Sequence, residues 1–362
     1  MAGICGSDLA IIAQKQPPNS ILQAYSTLPS IFGHENVAVV DEVGPAVDKS
    51  WVGRRVCVDP TLCCSVRGID PPCRRCASGQ YGACENFAAN GKGTAGLPPG
   101  TSIGYCGGVG GAFSEYFIAH ESQLCPVPDE LLDEQAILTD PVACSLHAVL
   151  RVDLSEAEQV LVYGAGVLGL GVVASLRAVG YQGRIDALDR APYLQQTAKS
   201  LGASQLVQLP ADKAERFEAI AGRTGASVKR ARFGNYTLSG GYDVVFDCVG
   251  SSNSINESLK WTRSRGQVAL IATGHGGKLD ITPVWFTELT VLGAYGREME
   301  SYDGRRLSTY QLTHEMMASG ALKVGRLLTH TFPIEQYKQA FKVGLSKAEH
   351  QAIKVAFDLR NG

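Results

Sequence analysis

The sequence predicts an α/β protein of two domains, one made of short β-strands and one built around a doubly wound parallel sheet. At 362 residues, the chain exceeds what one hydrophobic core usually supports. Residues 5–141 are rich in glycine, proline and cysteine and carry short β-type runs between turn residues, which indicates an irregular β domain. Residues 143–294 alternate strand and helix patterns, which is typical of a parallel sheet covered by helices.

The predicted elements can be read along the chain. In the first part the β-type runs are ENVAVVDEVG, RRVCVDP and GAFSEYFIA, with a glycine-rich surface loop, NGKGTAGLPPGTSIGYCGGVGG, before the last of them. In the second part the strands are QVLVYGAG, RIDALD, YDVVFDCVG and GQVALIATG, and the helices lie in APYLQQTAKSLGA and SINESLKWTRSRG. RRLSTYQLTHEMMASGAL is predicted helical, and QAIKVAFDLR is a strand that returns to the first domain. We therefore predict one domain of residues 1–143 and 297–362 and a second of residues 144–296.

Composition and charge exclude several classes of protein. Hydrophobic residues make up 45% and charged residues 19%, and a formal net charge of -2 without a basic run argues against nucleic acid as a partner. The longest apolar run, residues 160–176, is interrupted by glycines and predicts a strand, a turn and a buried helix rather than a membrane span. Because no signal-peptide pattern precedes it, we expect a cytoplasmic protein with small-molecule partners and no membrane association.

A dinucleotide-binding fingerprint lies in VLVYGAGVLGLG. The glycines of G-x-G-x-x-G are Gly164, Gly166 and Gly169, and the motif follows an apolar strand and opens a helix, with Val167 and Leu168 in the same turn. Gly164 makes the turn, Gly166 lets backbone amides approach a pyrophosphate, and Gly169 lets helix and strand pack closely. The helix N-terminus adds a positive field for the phosphates.

The residues that follow the next strands refine this prediction. Asp189, at the end of the second strand, favours NAD because its carboxylate accepts hydrogen bonds from the ribose hydroxyls and repels a 2'-phosphate. Arg190 leaves NADP open, although a solvated charge or a guanidinium over the adenine is the interpretation we prefer. Cys248 and Val249 are expected to line the nicotinamide side, with Cys248 serving packing rather than chemistry.

Cysteine usage points to metal rather than to disulfides. The chain has 11 cysteines, and clustered thiols in a cytoplasmic protein are more often metal ligands than bridges. Cys5, the pair His34 and Glu35 in FGHENV, and Asp140 in LTDPVACSLHA each have an ordinary structural explanation when taken alone. Together they form a set of thiol, imidazole and carboxylate that suits zinc with one position open.

The motifs GICGSDL, GHE, CRRCASGQYGAC, YGAGVLGLG, VVFDCVG and LTVLGAYGR occur in the order found in zinc-dependent medium-chain dehydrogenases. The chain resembles that family over nearly its whole length, and most closely its polyol, sugar and threonine dehydrogenase branch. The resemblance implies a GroES-like β domain that holds catalytic zinc and a Rossmann domain that binds NAD. It further implies hydride transfer between NAD and a secondary alcohol of the sugar, cyclitol or polyol class, in a homodimer or homotetramer.

The resemblance also implies roles for single residues. By position, Cys5 and His34 are zinc ligands, Asp140 is the third ligand, and Glu35 is a neighbouring carboxylate that binds or releases the metal. Ser7 is the hydroxyl that receives the proton of the substrate alcohol. Ala10 stands where simple alcohol dehydrogenases carry a histidine that ends a proton relay, so the proton must leave by another route, through Glu35 or water.

A second zinc site, of structural type, is implied by Cys73-x2-Cys76-x7-Cys84. Where the family has its first cysteine of this lobe, three residues before Cys73, the chain has Asp70. Asp70 is the expected fourth ligand, Cys63 or Cys64 is the alternative, and a lobe without metal is the remaining possibility.

The opening MAGICGSDLA raises a last question, because relatives carry a longer segment before this motif. We favour a start upstream of Met1. The alternative is a shortened chain whose unpaired edge leaves Cys5 on a frayed terminus, which would give a catalytically impaired binding or structural protein.

Overall fold

The structure, a computed structural model, describes residues 1–15, 20–272 and 277–360. The chain divides into two compact units. Unit 1 comprises Met1–Ala143 and Gly296–Gly362, and unit 2 comprises Cys144–Tyr295. None of the helices in the described ranges is long and apolar enough to cross a membrane.

The described strands are short in unit 1 and longer in unit 2. They are β1 (Ala2–Ile4), β2 (Glu35–Asn36), β3 (Ala38–Val39), β4 (Arg55–Val58), β5 (Leu124–Pro126), β6 (Gln159–Tyr163), β7 (Arg184–Leu188), β8 (Gln205–Val207), β9 (Ser227–Arg230), β10 (Tyr236–Ser239), β11 (Tyr242–Asp247), β12 (Thr262–Leu270), β13 (Thr290–Gly293), β14 (Met299–Tyr302), β15 (Arg305–Ser308), β16 (Leu328–Phe332) and β17 (Lys354–Phe357).

The α-helices lie mainly between the strands of unit 2 and in the last part of unit 1. They are α1 (Gly6–Ile12), α2 (Cys64–Arg67), α3 (Arg74–Ala77), α4 (Asp133–Ala136), α5 (Thr139–Leu150), α6 (Val167–Ala178), α7 (Pro192–Ser200), α8 (Lys213–Thr224), α9 (Ser252–Trp261), α10 (Thr282–Phe286), α11 (Thr309–Ala318), α12 (Tyr337–Leu345) and α13 (Lys347–His350).

Unit 1 contains a four-stranded sheet in the order β16-β17-β1-β2 and a three-stranded sheet in the order β3-β4-β5. Strand β1 lies between two antiparallel neighbours, with Ala2 opposite both Phe357 and Asn36. Ala2 and Ile4 are buried in an apolar cluster with Phe357. The segment that leads into Cys5 is therefore paired on both sides, and the expectation of a frayed edge at this point is wrong.

Unit 2 is organised by a six-stranded parallel sheet in the order β13-β12-β11-β6-β7-β8. Its central strands are continuous apolar runs, as in Val160, Leu161 and Val162, because helices cover both faces of the sheet. From β6 the strand order runs outward in both directions, through β7 and β8 on one side and β11, β12 and β13 on the other. Ligands of doubly wound sheets bind at such a switch point, beyond the carboxyl ends of the strands.

Several sequence predictions are confirmed and others are wrong. Helix α7 lies within APYLQQTAKSLGA, and β17 joins the sheet of unit 1 as predicted. GAFSEYFIA forms no strand, because only two of its backbone amides, those of Ala112 and Phe113, bond to the neighbouring segment at Gly33 and Phe32.

The helix predicted in SINESLKWTRSRG ends at Trp261, and Thr262 begins β12. RRLS forms β15, which pairs with β14, so the helix predicted there begins only at Thr309. The glycine-rich loop is not simply on the surface, since Ile103 and Cys106 are fully buried. The end of GQVALIATG, residues 273–274, lies outside the described residues.

Candidate active site

Cys5, His34 and Glu35 come together because β1 and β2 are neighbours. Cys5 follows β1, His34 precedes β2, and Gly3 stands opposite Glu35 in the ladder. One potential ligand atom from each of the three residues lies within 4.8 Å of the others. A side chain at Gly3 would overlap the Glu35 side chain that crosses it, so this position requires glycine.

The donor chemistry of this cluster fits zinc. His34 is buried, and its Nδ1 atom has no hydrogen-bond partner among the described residues, with Asp8 Oδ1 at 3.6 Å. Burial opposes ionisation of the Cys5 thiol, but the adjacent His34 prevails and lowers the pKa of Cys5 to about 7. The thiolate is the form that binds metal, and thiolate, imidazole and carboxylate together suit a zinc ion with a position left for substrate.

A buried lysine that sequence reasoning missed faces this cluster. Lys354 in β17 forms an ion pair with Glu35 and donates a hydrogen bond to the Ile4 carbonyl at 3.1 Å. Burial lowers the pKa of Lys354 to about 8. Lys354 thus fixes the Glu35 carboxylate, and no sequence signal pointed to it because it lies some 320 residues away in the chain.

Ser7 lies in the first turn of α1, beside two further residues that the sequence did not single out. The Tyr105 hydroxyl is 2.7 Å from Ser7 Oγ and 2.9 Å from Asp8 Oδ1. Because a carboxylate only accepts, the Tyr105 proton is directed to Asp8, which leaves the Tyr105 oxygen free to accept from Ser7. Burial, reinforced by Asp8, raises the pKa of Tyr105 well above its usual value. Asp8 belongs to the GICGSDL motif, which was a signal that could have drawn attention to it. Tyr105 lies in the glycine-rich segment, where no motif indicated a functional residue.

Asp140 is not among the residues of this cluster, so the structure does not bring the predicted third ligand together with Cys5 and His34. Its Oδ1 atom accepts a hydrogen bond from the Tyr310 hydroxyl at 2.6 Å and faces Arg297 Nη2 at 3.0 Å. Arg297 Nε also lies 3.2 Å from Asp59 Oδ1. The buried Tyr310 hydroxyl and the buried Arg297 guanidinium therefore both engage Asp140. The carboxylate that lies near Cys5 and His34 is that of Glu35.

A second cluster consists of four cysteines, Cys64, Cys73, Cys76 and Cys84, whose sulfurs lie within 4.8 Å of one another. Asp70 is exposed and outside this group, so its prediction as the fourth ligand is corrected in favour of Cys64. Cys63 is also outside, with its sulfur 3.2 Å from Ser65 Oγ. Four cysteines at one point are the ligand set of structural zinc.

The glycines of the fingerprint take the places predicted for them in unit 2. Gly164 has a φ of +94°, and a Cβ there would lie 2.6 Å from Val249 Cγ2. A Cβ at Gly169 would overlap the Gly164 carbonyl, which is the close packing of helix and strand that the motif predicted. Gly166 is the N-cap of α6, which continues through Val167 and Leu168, and it faces open space. The turn thus leaves room for a pyrophosphate at a helix N-terminus.

A cavity of about 930 Å³ opens beyond β6, β7 and β11, with Gly164, Asp189, Arg190 and Val249 in its wall. The Asp189 carboxylate accepts the N–H groups of Ala165 at 2.8 Å and Ala191 at 2.9 Å, which fixes it beside the glycine turn. Arg190 is exposed at the rim.

Cys248 is half-buried next to Val249. Burial raises the pKa of its thiol well above the usual value. A thiol with this pKa is unreactive at neutral pH, as expected for a packing residue.

Comparison with known proteins places these sites in a family. The model of the alcohol dehydrogenase GroES-like domain matches residues 1–129, and the zinc-binding dehydrogenase model matches residues 167–309. The chain is 28% identical to sorbitol dehydrogenase from Arabidopsis thaliana over 361 residues, which are 99% of this chain and 86% of that protein.

Solved structures show the same architecture. The 2R,3R-butanediol dehydrogenase from Bacillus subtilis superposes with a TM-score of 0.72 at 26% identity, over 98% of this chain and 89% of that one. An alcohol dehydrogenase from E. coli CFT073, solved with NADH, has the same fold with a TM-score of 0.76 at 22% identity, over 99% and 89% of the two chains. The protein belongs to the zinc-dependent medium-chain dehydrogenases and is an oxidoreductase of the alcohol dehydrogenase type.

Proposed function

We propose that this protein is a zinc-dependent dehydrogenase that transfers a hydride between NAD and a secondary alcohol of the sugar, cyclitol or polyol class. The observation that carries the proposal is the convergence of Cys5, His34 and Glu35, with Ser7 two residues after Cys5 in the first turn of α1. The names of two relatives, sorbitol dehydrogenase and butanediol dehydrogenase, support a substrate with several hydroxyl groups.

In this proposal Cys5, His34 and Glu35 hold the catalytic metal, and the four-cysteine cluster holds a structural one. When bound at the first site, zinc acts as a Lewis acid that lowers the pKa of the substrate hydroxyl. Glu35 keeps its place through the ion pair with Lys354. Three protein ligands leave a coordination position for the substrate, whereas four cysteines leave none.

Ser7 orients the substrate hydroxyl and takes its proton, while its own proton moves to the Tyr105 oxygen and the Tyr105 proton passes to the Asp8 carboxylate. The distances from Tyr105 Oη to Ser7 Oγ, 2.7 Å, and to Asp8 Oδ1, 2.9 Å, suit such a hydrogen-bonded chain. This chain replaces the relay that the sequence left open at Ala10.

Unit 2 binds the cofactor, which supplies the hydride acceptor. Gly164 and Gly166 leave space for the pyrophosphate, and Asp189 offers a carboxylate to the adenosine ribose. We expect a preference for NAD, because the Asp189 carboxylate repels a 2'-phosphate. Arg190 at the rim keeps NADP possible as a weaker cofactor.

A homodimer or homotetramer is part of the proposal. Strand β13 is an edge of the six-stranded sheet, and Trp285 and Phe286 just before it are 80% and 73% exposed. Exposed aromatic side chains beside an unpaired strand edge favour association with another copy of the chain.

The test combines metal counting with a substrate panel. Native mass spectrometry gives zinc ions per subunit and subunits per particle, and we expect two zinc ions in each subunit of an oligomer. NADH absorbance then follows oxidation of sugars, inositols, polyols and threonine by the same preparation. We expect turnover of at least one cyclic or linear polyol. Full zinc occupancy and bound NAD without turnover of any compound in the panel would contradict the proposed substrate class.

A further inference from the structure

The cavity of unit 2 extends beyond the residues that the nucleotide motif accounts for. Gly164, Asp189 and Val249 follow strands β6, β7 and β11 and form the part of the wall assigned to adenosine. The volume of about 930 Å³ is near the upper limit of small-molecule sites, which range from about 300 to 1,000 Å³. Helix α8, helix α9 and residues 278–280 supply most of the remaining wall, and we call this part of the cavity the α8–α9 groove. The groove therefore has room for a ligand in addition to adenosine.

Helix α9 turns a polar face to the groove. Its groove-lining residues follow the i, i+3, i+4, i+7 spacing of one helical face, and they are Asn253, Asn256, Glu257 and Lys260. Ile255 and Leu259, on another face, pack in an apolar cluster with Val268. At a rise of about 1.5 Å per residue, the polar face runs for about 10 Å along the groove. A face of this length can contact several polar groups of one ligand.

The two carboxylates that line the groove both have cationic partners. Arg216 Nε lies 2.8 Å from Glu257 Oε1, and Lys260 Nζ lies 2.9 Å from Asp280 Oδ2. Asn235 Oδ1 accepts a second hydrogen bond from Lys260, at 2.8 Å. The hydrogen bond from Lys260 holds the pKa of Asp280 well below its usual value, so this carboxyl group is ionised at neutral pH. Both carboxylates are thus compensated within the protein.

Two further lysines leave the groove with a surplus of positive charge. Lys213 in α8 and Lys278 line it and are exposed, and among the described residues neither forms an ion pair with a carboxylate. Lys213 donates a hydrogen bond to the Gly234 carbonyl at 3.1 Å, which holds it beside the turn before β10. Four cationic side chains and two carboxylates give the groove a formal charge of +2, whereas Asp189 and Arg190 offset each other at the adenosine end. A cavity wall of one sign concentrates ligands of the opposite charge.

We propose that the α8–α9 groove is a second ligand site, which binds a hydroxylated phosphate monoester while the dinucleotide is in place. A phosphate monoester carries about −1.5 to −2 charges at neutral pH, which matches the surplus on Lys213 and Lys278. Asn253, an exposed member of the polar face of α9, offers an amide that donates to and accepts from ligand hydroxyls. The site goes beyond the proposed function because hydride transfer does not use it, and only its position beside adenosine rests on the cofactor assignment.

The first test measures binding by calorimetry in the full-length protein saturated with NADH, which prevents oxidation of a sugar during the titration. The probes are glucose 6-phosphate and, as the matched neutral control, glucose. We expect one glucose 6-phosphate per subunit and at least about tenfold weaker binding of glucose. Absence of binding, or equal affinity for the two sugars, would overturn the proposal, because the phosphate group would then contribute nothing.

The 2'-phosphate of NADP has the same chemistry, so the titration is repeated with the protein saturated with NADPH. The affinity for glucose 6-phosphate should be the same as with NADH, because the groove holds a separate molecule. Loss of binding with NADPH would show that the cofactor's own phosphate fills the groove, and it would refute a second ligand site.

Variants then locate the bound phosphate. Lys213→Gln and Lys278→Gln each remove one surplus charge, and together they should weaken binding of glucose 6-phosphate at least about tenfold. Because both lysines are exposed, unit 2 should fold, and its NADH affinity from fluorescence titration should stay within about threefold. Lys229→Gln is the matched control, because Lys229 is exposed but outside the cavity wall. Equal affinity in the double variant and in the control would place the ligand elsewhere and contradict the assignment.

None of these measurements requires turnover. A protein that binds glucose 6-phosphate in the groove but oxidises no alcohol would fail only the proposed function. An active dehydrogenase that binds NADH but no phosphate monoester beside it would fail only this inference.

Discussion

The two sites of this protein are assembled in different ways. In unit 2 the glycine turn, the helix that follows it and Asp189 lie within 26 residues, and one strand–helix–strand unit, β6-α6-β7, positions them. In unit 1 the site takes Cys5 from the end of β1, His34 and Glu35 from the start of β2, Tyr105 from an irregular segment and Lys354 from β17. A local site can be recognised from spacing alone, whereas a dispersed site depends on which strands become neighbours.

The strongest test of this contrast is to remove one ligand from unit 1. We expect Cys5→Ala to lower kcat/KM by about a thousandfold or more, because Lewis-acid stabilisation by zinc contributes several kcal/mol to the transition state. The affinity for NADH, measured by fluorescence titration, should stay within about threefold of the parent protein, since the nucleotide site is local to unit 2. Cys63→Ser is the control, because Cys63 lies outside both clusters. Parallel loss of turnover and NADH binding would show that the two sites do not act separately.

A smaller effect is expected from the hydroxyl that takes the substrate proton. Ser7→Ala should lower kcat by about a hundredfold, in the range that a positioned acid–base group contributes. Ser7→Thr keeps the hydroxyl and should retain most of the activity, and zinc content should be equal in both variants. If alanine and threonine lower kcat to the same extent, the hydroxyl has no role in proton transfer and Ser7 serves only to position α1.

The corresponding change in unit 2 alters the choice of cofactor. Asp189→Ser removes the carboxylate that repels a 2'-phosphate, so the ratio of kcat/KM with NADP to that with NAD should rise by at least about tenfold. Zinc per subunit should remain as in the parent protein. Asp189→Glu keeps the charge and is the matched control. A ratio that does not move would place the source of cofactor preference elsewhere in the cavity.

The smallest effect on metal content is expected at Asp140. Asp140→Asn keeps a partner for the Tyr310 hydroxyl but removes the charge that faces Arg297. We expect the melting temperature to fall while zinc per subunit, counted by native mass spectrometry, does not change. The loss of one zinc ion, as expected for Cys5→Ala, would return Asp140 to the ligand set.

The contrast between a local and a dispersed site also explains which features could be predicted from the sequence. The positions of Gly164, Gly166 and Gly169 followed from local geometry, and the alternating pattern predicted the parallel sheet. The grouping of Cys5 with His34 was expected from the family resemblance rather than from spacing. Partners that are distant in the chain could not be predicted, as with Arg297 and Tyr310, which engage Asp140.

The fourth cysteine of the second cluster could not be chosen from the sequence. Asp70, Cys63 and Cys64 are all near enough in the chain, and only the folded path of residues 62–73 decides among them. Cys64 points inward at the start of α2, with an exposed fraction of 0%, while Asp70 faces solvent. Lys354 and Tyr105 carried no signal at all, because a single lysine or tyrosine far from a motif is ordinary in any sequence.

The pairing of β1 with β17 has a consequence for how the protein is made. Ile4 stands opposite Val355 in β17. The strand that leads into Cys5 therefore gains one of its two neighbours only after the ribosome has synthesised β17. The nucleotide turn of unit 2 can form much earlier, from residues that emerge together. A nascent chain interrupted before β17 would thus present a nearly finished cofactor domain and an incomplete metal pocket. We therefore expect zinc to bind at Cys5 only at the end of synthesis. Truncated chains that lack β17 should bind the nucleotide but not this zinc ion.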